Sequence, residues 1–344
     1  MKPATWPRER PDHERLLWVD PRSAILHDHL IADLAALLGP GDLLIVNDAA
    51  TLPASLYTED RTLELRLTSR LGDDTRWRAL LFGAGDFRTP TEHRAEPRHL
   101  ASGELLAFGD DLHARVGSID PEQPRLIELR FVERDAALWC GLYRHGAPIQ
   151  YAHVSRPLSL FHVQSHFAAR PWAVEAPSAG RPLGWGVLLA LARRGVEIAW
   201  LTHAAGLSST GSAALDRRMP WPERYSIPEA TVSAIARAKQ RGGRVIAVGT
   251  TVVRALEACA AANDGAVVAG EGLARLLLGP RYVPRIADGL LTGMHEQGTS
   301  HFALLQAFAP RPLLEQALEH ATAAGYLQHE FGDSCLLLRS RADA

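Results

Sequence analysis

The chain has 344 residues, which at ~100–200 residues per domain leaves room for two domains and excludes a minimal peptide-binding module. With 47% hydrophobic and 22% charged residues, the composition is that of an ordinary globular protein and excludes long disorder or a fibrous repeat. The 37 Lys+Arg against 39 Asp+Glu give a net charge of -2, which excludes a generally basic nucleic-acid coat and leaves only a local basic patch. Cys140, Cys259 and Cys335 are far apart and lack a C-x-x-C pairing, so neither a disulfide framework nor structural zinc is expected, and a reducing cytoplasm fits. Met1 to Glu14 carries prolines and charges where a signal peptide needs an apolar stretch, and no later run approaches ~18 apolar residues; neither export nor a membrane span is expected.

In chain order, Ile25 to Leu38 has helical spacing and ends at Gly39-Pro40-Gly41, and a buried strand, Leu43 to Val46, should follow. From about Tyr57 to Ile149 short runs such as Thr62 to Leu67, Trp77 to Phe82, Leu126 to Val132 and Ala137 to Tyr143 alternate with Gly, Asp and Pro clusters. That spacing predicts a small antiparallel barrel or sandwich. After Pro157 strands and helices alternate: helix Leu188 to Arg194, strand Val196 to Thr202, helix Pro228 to Arg241, strand Arg244 to Val248, helix Val252 to Ala262. The expected fold class is therefore α/β, a layered domain on a largely parallel sheet, with the β-rich stretch inserted into it. The expected division is residues 1–57 with 151–344 for the discontinuous α/β domain, and 58–150 for the insertion.

Several signatures fail on inspection. No lysine follows a glycine, so there is no phosphate loop. Gly270-Glu271-Gly272 has Arg275 where a dinucleotide fingerprint needs its third glycine. His295 and His301 are six apart and cannot share a helical face as zinc ligands, so no metal is expected. The informative run is Arg244 to Glu257, in which a buried strand ends at Gly249 and Thr250 and Thr251 open a helix whose free N–H groups face outward. Read alone, such a turn is more often a well-capped βα connection than a ligand site.

This run resembles the GTT-x-x-R-x-LE segment of the S-adenosylmethionine:tRNA ribosyltransferase-isomerases of queuosine biosynthesis. Further segments fall in that family's order: Gly41 to Asp48 with Leu52-Pro53-Ala54, Gln164 to Ala168, Ala176 to Gly180, Thr202-His203 with Gly206-Leu207, Glu223 with Tyr225 and Ile227, Asp288 to Thr292 with His295, Ala307 to Ala309, and Tyr326 with Gly332-Asp333. The chain also departs from the family. Ala50 and Ser55 stand where it has arginine, Arg181-Pro182-Leu183 and Trp221 replace histidine-bearing positions, Gly293 replaces an asparagine, and Glu296-Gln297 replace Leu-Pro.

The resemblance implies a three-layer α/β domain with an inserted Greek-key β-barrel and a cleft between them. It also implies S-adenosylmethionine as co-substrate, whose ribosyl part is moved onto the aminomethyl group of a deazaguanine in tRNA with loss of methionine and adenine. That chemistry needs a base for the acidic C5′ proton, a proton donor for adenine, and a site for the methionine carboxylate and ammonium. His203 and His295, each near the carboxyl end of a strand, are the acid/base candidates, with Glu223 and Asp333 as their partners. Gly249, Thr250, Thr251 and Arg254 are the candidate carboxylate or ribose cradle, and Pro177, Ser178, Ala179, Gly180, Tyr225, Asn47 and Asp48 complete the expected binding set. Three functions stay open: the family reaction itself, the same co-substrate with a different and smaller acceptor, and a non-catalytic ligand-binding descendant. With two arginines lost, tRNA contacts are expected to be weakened, leaving Arg66, Arg76 and Arg78 to meet a phosphate backbone. A monomer or weak oligomer is expected.

Overall fold

The computed structural model describes residues 1–338. At its centre lies a nine-stranded sheet whose strands run, across the sheet, Gly270–Ala274, Glu223–Ile227, Glu197–His203, Leu43–Asn47, Val245–Val248, Gly289–Gly293, Ser334–Leu338, Arg15–Asp20 and Ile25–Leu30. The four middle strands, from Glu197–His203 to Gly289–Gly293, are mutually parallel. Outside them the pairing is mixed: Ser334–Leu338 is antiparallel to Gly289–Gly293 but parallel to Arg15–Asp20, and the outermost pairs are antiparallel. The sheet is thus parallel at its centre and mixed overall, where a largely parallel one was expected.

All five residues of Leu43–Asn47 are buried, as a central strand covered on both faces requires. Leu43 and Ile45 point into a core shared with helices Glu229–Gln240, Thr250–Ala262 and Arg311–Ala323. Leu44 and Val46 point the other way, onto Leu34 of the short helix Leu34–Leu37 and Leu188 and Leu191 of helix Trp185–Arg193. Period-two alternation on one strand therefore builds three layers, and each buried Leu or Ile contributes roughly 1.5–3 kcal/mol relative to exposure. The result is a rigid floor beneath the carboxyl ends of the middle strands.

Strands from Ser55–Tyr57 to Gly146–Ala147 form a second, seven-stranded antiparallel sheet around its own core, which includes Leu65, Trp77, Leu80, Phe108 and Leu129. Where a small antiparallel Greek-key barrel was expected, the sheet curls into a half-barrel, with Gly146–Ala147 at one edge and Leu105–Gly109 at the other. Helix Asp135–His145 packs against strands at both edges. That helix was expected as a strand, Ala137 to Tyr143. Its buried residues, Leu138, Gly141 and Leu142, follow helical spacing, and Gly141 is needed because a Cβ there would lie 3.1 Å from the Asp111 carbonyl.

The expected helix Ile25 to Leu38 also resolves differently. Ile25–Leu30 is an edge strand paired in register with Arg15–Asp20 through a turn at Asp20, whose Oδ1 accepts the Arg22 N–H at 2.9 Å. Helical structure starts only after Leu30, whose N–H is held by Asp33 Oδ2 at 2.9 Å. Sheet pairing has overridden the local spacing. No helix among the described residues is long and apolar enough to cross a membrane.

Candidate active site

Three parallel strands end together at Asn47, His203 and Val248, the edge where open α/β sheets place their ligands. Asn47 locks two of them: its Nδ2 donates to the His203 carbonyl at 3.0 Å and its Oδ1 accepts the His203 N–H at 2.9 Å. The same Nδ2 reaches Thr251 Oγ1 at 3.4 Å, so one amide side chain joins the strand ends to the helix that opens after Gly249. Neighbouring Asp48 accepts a hydrogen bond from Thr202 Oγ1 at 2.5 Å, and burial raises its carboxyl above the usual range.

Gly249 has φ +91°, a conformation that L side chains rarely adopt, which lets the strand reverse into helix Thr250–Ala262. A Cβ on it would sit 3.4 Å from Ala179 Cβ and from Thr251 Oγ1. The turn Ser178–Gly180, entered through Pro177, is thereby pressed against the helix N-terminus. Gly180 in turn is tight against the Phe167 ring, where a Cβ would meet Cζ at 2.7 Å. No side chain caps the Thr250–Ala262 helix, so its first N–H groups stay available to an acceptor-rich ligand.

The charged heart of the site is Glu223 with Arg254. Glu223 Oε2 accepts from Arg254 Nη1, and its Oε1 accepts the Gly206 N–H at 2.7 Å. Both side chains are almost wholly buried. Burial pushes the Glu223 carboxyl up, while Arg254 and the Gly206 N–H pull it back. His203 is fully buried with its Nε2 3.5 Å from Glu223 Oε2, yet among the described residues neither ring nitrogen has a hydrogen-bond partner. Burial, aided by the Arg254 charge, lowers His203 to about 3, so it is neutral throughout the physiological range.

His295 follows strand Gly289–Gly293, and its Nε2 shares a 2.8 Å hydrogen bond with Thr292 Oγ1. Its ring stacks on His301 with centroids 4.8 Å apart and planes 10° apart. Burial, then the neighbours His301 and His329, hold it well below the usual imidazole range; burial and Arg254 lower His301 as well. His301 thus bridges, electrostatically, the Glu223–Arg254 pair and His295.

Two expected site residues are placed elsewhere. Tyr225 faces the core, its hydroxyl against Gly272 and Cys259, and burial together with Cys259 pushes it up to about 12. Asp333 is held away from this group by Arg8 Nη2 at 2.5 Å and the backbone N–H groups of Arg15 and Leu327 at 2.9 and 2.7 Å, which makes it a tie between chain termini. Gln164 likewise clamps the backbone of Thr51 with its Oε1 and Nε2 at 2.8 and 2.9 Å.

Sequence reasoning passed over a second polar group. Tyr151 donates to Glu175 and lies 3.2 Å from Ser208 Oγ, and burial raises Glu175 to about 7. Beside it, His153, His329 and Glu330 bring one ligand-type atom each within 4.8 Å of one another. With residue 153 separated from 329–330 by most of the fold, no local spacing announces them.

A sequence profile of the family described as "Queuosine biosynthesis protein" matches residues 2–337. The chain is 36% identical to the S-adenosylmethionine:tRNA ribosyltransferase-isomerase of Gloeobacter violaceus over 97% of its own length and 92% of that protein. It is 35% identical to the enzyme of the same name from Acidiphilium cryptum, over 96% and 94% of the two chains. The crystal structure of an S-adenosylmethionine tRNA ribosyltransferase from Thermotoga maritima superposes with a TM-score of 0.53 at 22% identity, covering 98% of this chain and 96% of that one, which bears on the fold. Fold and site together define a layered α/β protein with a buried polar cluster at the carboxyl edge of its sheet. The chain belongs to the S-adenosylmethionine:tRNA ribosyltransferase-isomerase family, as a divergent member.

Proposed function

We propose that this protein takes S-adenosylmethionine as co-substrate and transfers its ribosyl part, with isomerisation, to an amino acceptor. The acceptor in the family reaction is the 7-aminomethyl-7-deazaguanine base of tRNA. The observation that supports this most is the convergence of Asn47, His203, Glu223, Gly249 to Thr251 and Arg254, from four separate segments, on one sheet edge. The fit to the co-substrate rests on features of this chain. Gly249 leaves room at an uncapped helix N-terminus for a carboxylate, and His203 Nδ1, His203 Nε2 and Arg254 Nε are buried polar atoms without partners.

In this reading Thr250 and Thr251 bind the methionine carboxylate, and Glu223 holds Arg254 in place. We assign removal of the C5′ proton and protonation of departing adenine to His203 and His295, both neutral at pH 7 with one donor and one acceptor nitrogen each; the low basicity that burial gives them works against that role until the bound co-substrate changes their surroundings. Pro177 to Gly180 and Asp48 line the same edge. The domain reading, residues 1–57 and 151–344 around an inserted 58–150, would set the active cleft between the two domains, as the family resemblance implies.

A specific observation favours a smaller acceptor as the second reading. Ser55, at a position where the family has arginine, donates to Glu64 Oε1 at 2.8 Å, and Glu64 is itself fully engaged by buried Arg66 and Arg94. That arginine pair faces inward and is spent on Glu64. Calorimetric titration with S-adenosylmethionine tests binding, and mass spectrometry for released adenine with and without tRNA separates the acceptors. Absence of both binding and adenine release would overturn the enzymatic reading.

A further inference from the structure

Beside His295, whose ring feels His329 electrostatically, His153, His329 and Glu330 stand together, and no step of the ribosyl-transfer reading uses them. His153 belongs to the connector that follows the seven-stranded sheet, while His329 and Glu330 form the turn before the last strand, Ser334–Leu338. His153 Nε2 lies 2.7 Å from Glu330 Oε2, and the His153 and His329 rings stack with centroids 4.3 Å apart and planes 19° apart. Tyr151 continues the stack on His153 at 6.4 Å and 9°.

The backbone around these groups is fixed from both sides. Val154, next to His153, and Phe331, next to Glu330, are buried in the same small core with Ala4 and Val163. The Ser155 N–H donates to the Thr5 carbonyl at 3.0 Å, and the Gly332 N–H closes the turn on the His329 carbonyl at 2.9 Å. Gly332 is obligatory there, since a Cβ would lie 2.5 Å from the Gln328 backbone. His329 itself has φ +70°, unusual for a residue with a Cβ. Strained backbone of this kind persists where its surroundings over-determine it, and it often marks a ligand clamp.

We propose that His153, His329 and Glu330 bind one divalent transition-metal ion, for which Zn²⁺ is the best match. Two imidazoles and a carboxylate are the donor set of zinc and its first-row neighbours; calcium and magnesium favour all-oxygen cages. Bonds of about 2.0–2.2 Å in a tetrahedron put ligand atoms ~3.4 Å apart. The three atoms here lie within 4.8 Å of one another, so binding requires them to draw closer and the His153–His329 stack to re-angle toward the ion. Three protein ligands leave a fourth position open, as at sites where the metal carries water or substrate. The ion would also pin the connector at His153 to the C-terminal turn. The alternative is that His153 and Glu330 are a plain ion pair with a stacked neighbour.

The test uses the full-length protein, stripped with chelator and titrated with ZnCl₂ by calorimetry, with Co²⁺ absorption as the geometric readout. One equivalent should bind with a Kd in the micromolar range or tighter, and Co²⁺ should give the intense visible bands of a tetrahedral site. His329→Asn keeps a residue that tolerates positive φ, and Glu330→Gln keeps the side-chain volume. Each should weaken Zn²⁺ binding at least tenfold, and Zn²⁺ should raise the Tm of the parent protein but not of either variant. No binding below millimolar Zn²⁺, equal affinity in the variants, or an unchanged Tm of the parent at saturating Zn²⁺ would each overturn the site. S-adenosylmethionine binding, measured in the presence of chelator, reports separately on the cleft.

Discussion

Glu223 and Arg254 are buried as a pair, so each depends on the other for its charge. Replacing Glu223 by Gln leaves the Arg254 guanidinium buried with two carbonyl contacts, from Trp221 and Ala274, and no counter-charge. Removing one partner of a buried pair typically costs about 3–5 kcal/mol, and urea denaturation of E223Q should read a loss of that size. His295→Ala should act differently, lowering turnover by ~10²–10⁴-fold while S-adenosylmethionine affinity changes little, because an acid or base works in the transition state. Adenine-release kinetics beside calorimetry separate the two quantities, and equal losses in both would point to a positioning role. Glu175 sets a pH dependence of known sign. Its folded-state carboxyl is raised from 4.5 to about 7 by burial, so between those values the folded protein keeps a proton that the unfolded chain releases. Its contribution to stability therefore falls as pH rises from about 4.5 to 7, overlapping the window from about 3 to 6.5 in which neutral His203 makes stability rise. Subtracting the Glu175→Gln stability curve from that of the parent isolates the fall, of the order of 1–3 kcal/mol.

At the scale of elements, the junction of strand Val245–Val248 with helix Thr250–Ala262 concentrates the site in one turn. Gly249→Ala places a Cβ at φ +91° and 3.4 Å from Ala179, which should cost ~1–2 kcal/mol and weaken S-adenosylmethionine binding, as a thermal melt and a titration would record. An unaltered affinity would remove this turn from the binding site. The same turn shows what the sequence made legible. Val245 to Val248 is a continuous apolar run ended by glycine and two threonines, and its strand and helix lie where that pattern places them. Leu43 to Val46 and the helices near Leu188 and Pro228 were equally plain. Ile25–Leu30 was not, because its apolar spacing suits a helix and only the partner strand Arg15–Asp20 decides otherwise. Asp135–His145 was misread because a short Ala- and Leu-containing run fits either period until the sheet edges it covers are known. Of the candidate site, local motifs marked Gly249 to Thr251, His203 and His295. Asp333 and Tyr225 stand in such motifs too, while the fold engages them elsewhere, and His153 with His329 had no local signal at all.

For the whole molecule, the surviving arginines decide what the protein meets. Arg66 is buried in an ion pair with Glu64 at 2.8 Å, and Arg76 lies 3.6 Å from Glu128. Arg78 is half-buried on the same strand, Arg76–Phe82. With Ala50 and Ser55 uncharged, Arg66 and Arg94 held inward on Glu64 and a net charge of -2, a phosphate backbone would have to be met by exposed arginines such as Arg61, Arg88, Arg115 and Arg130. Each phosphate contact adds roughly 0.7–0.9 to the slope of log affinity against log salt. tRNA binding should therefore be weak with a shallow slope, and co-substrate turnover should proceed without tRNA. Gel shifts over a salt series check this, and tight binding with a slope of roughly four or more would restore a tRNA acceptor.

The nine-stranded sheet places Arg15–Asp20 beside Ser334–Leu338, so its first and last long strands are neighbours. During synthesis, the hairpin Arg15 to Leu30 has no strand to dock on until Ser334–Leu338 has left the ribosome, more than 300 residues later. The pairings of the seven-stranded sheet lie within residues 55–147 and can close much earlier. Folding should thus proceed in two stages, with the smaller sheet complete while the hairpin waits as an unpaired edge. A nascent chain stalled before residue 334 would expose that edge, and it is there that a chaperone would find this protein.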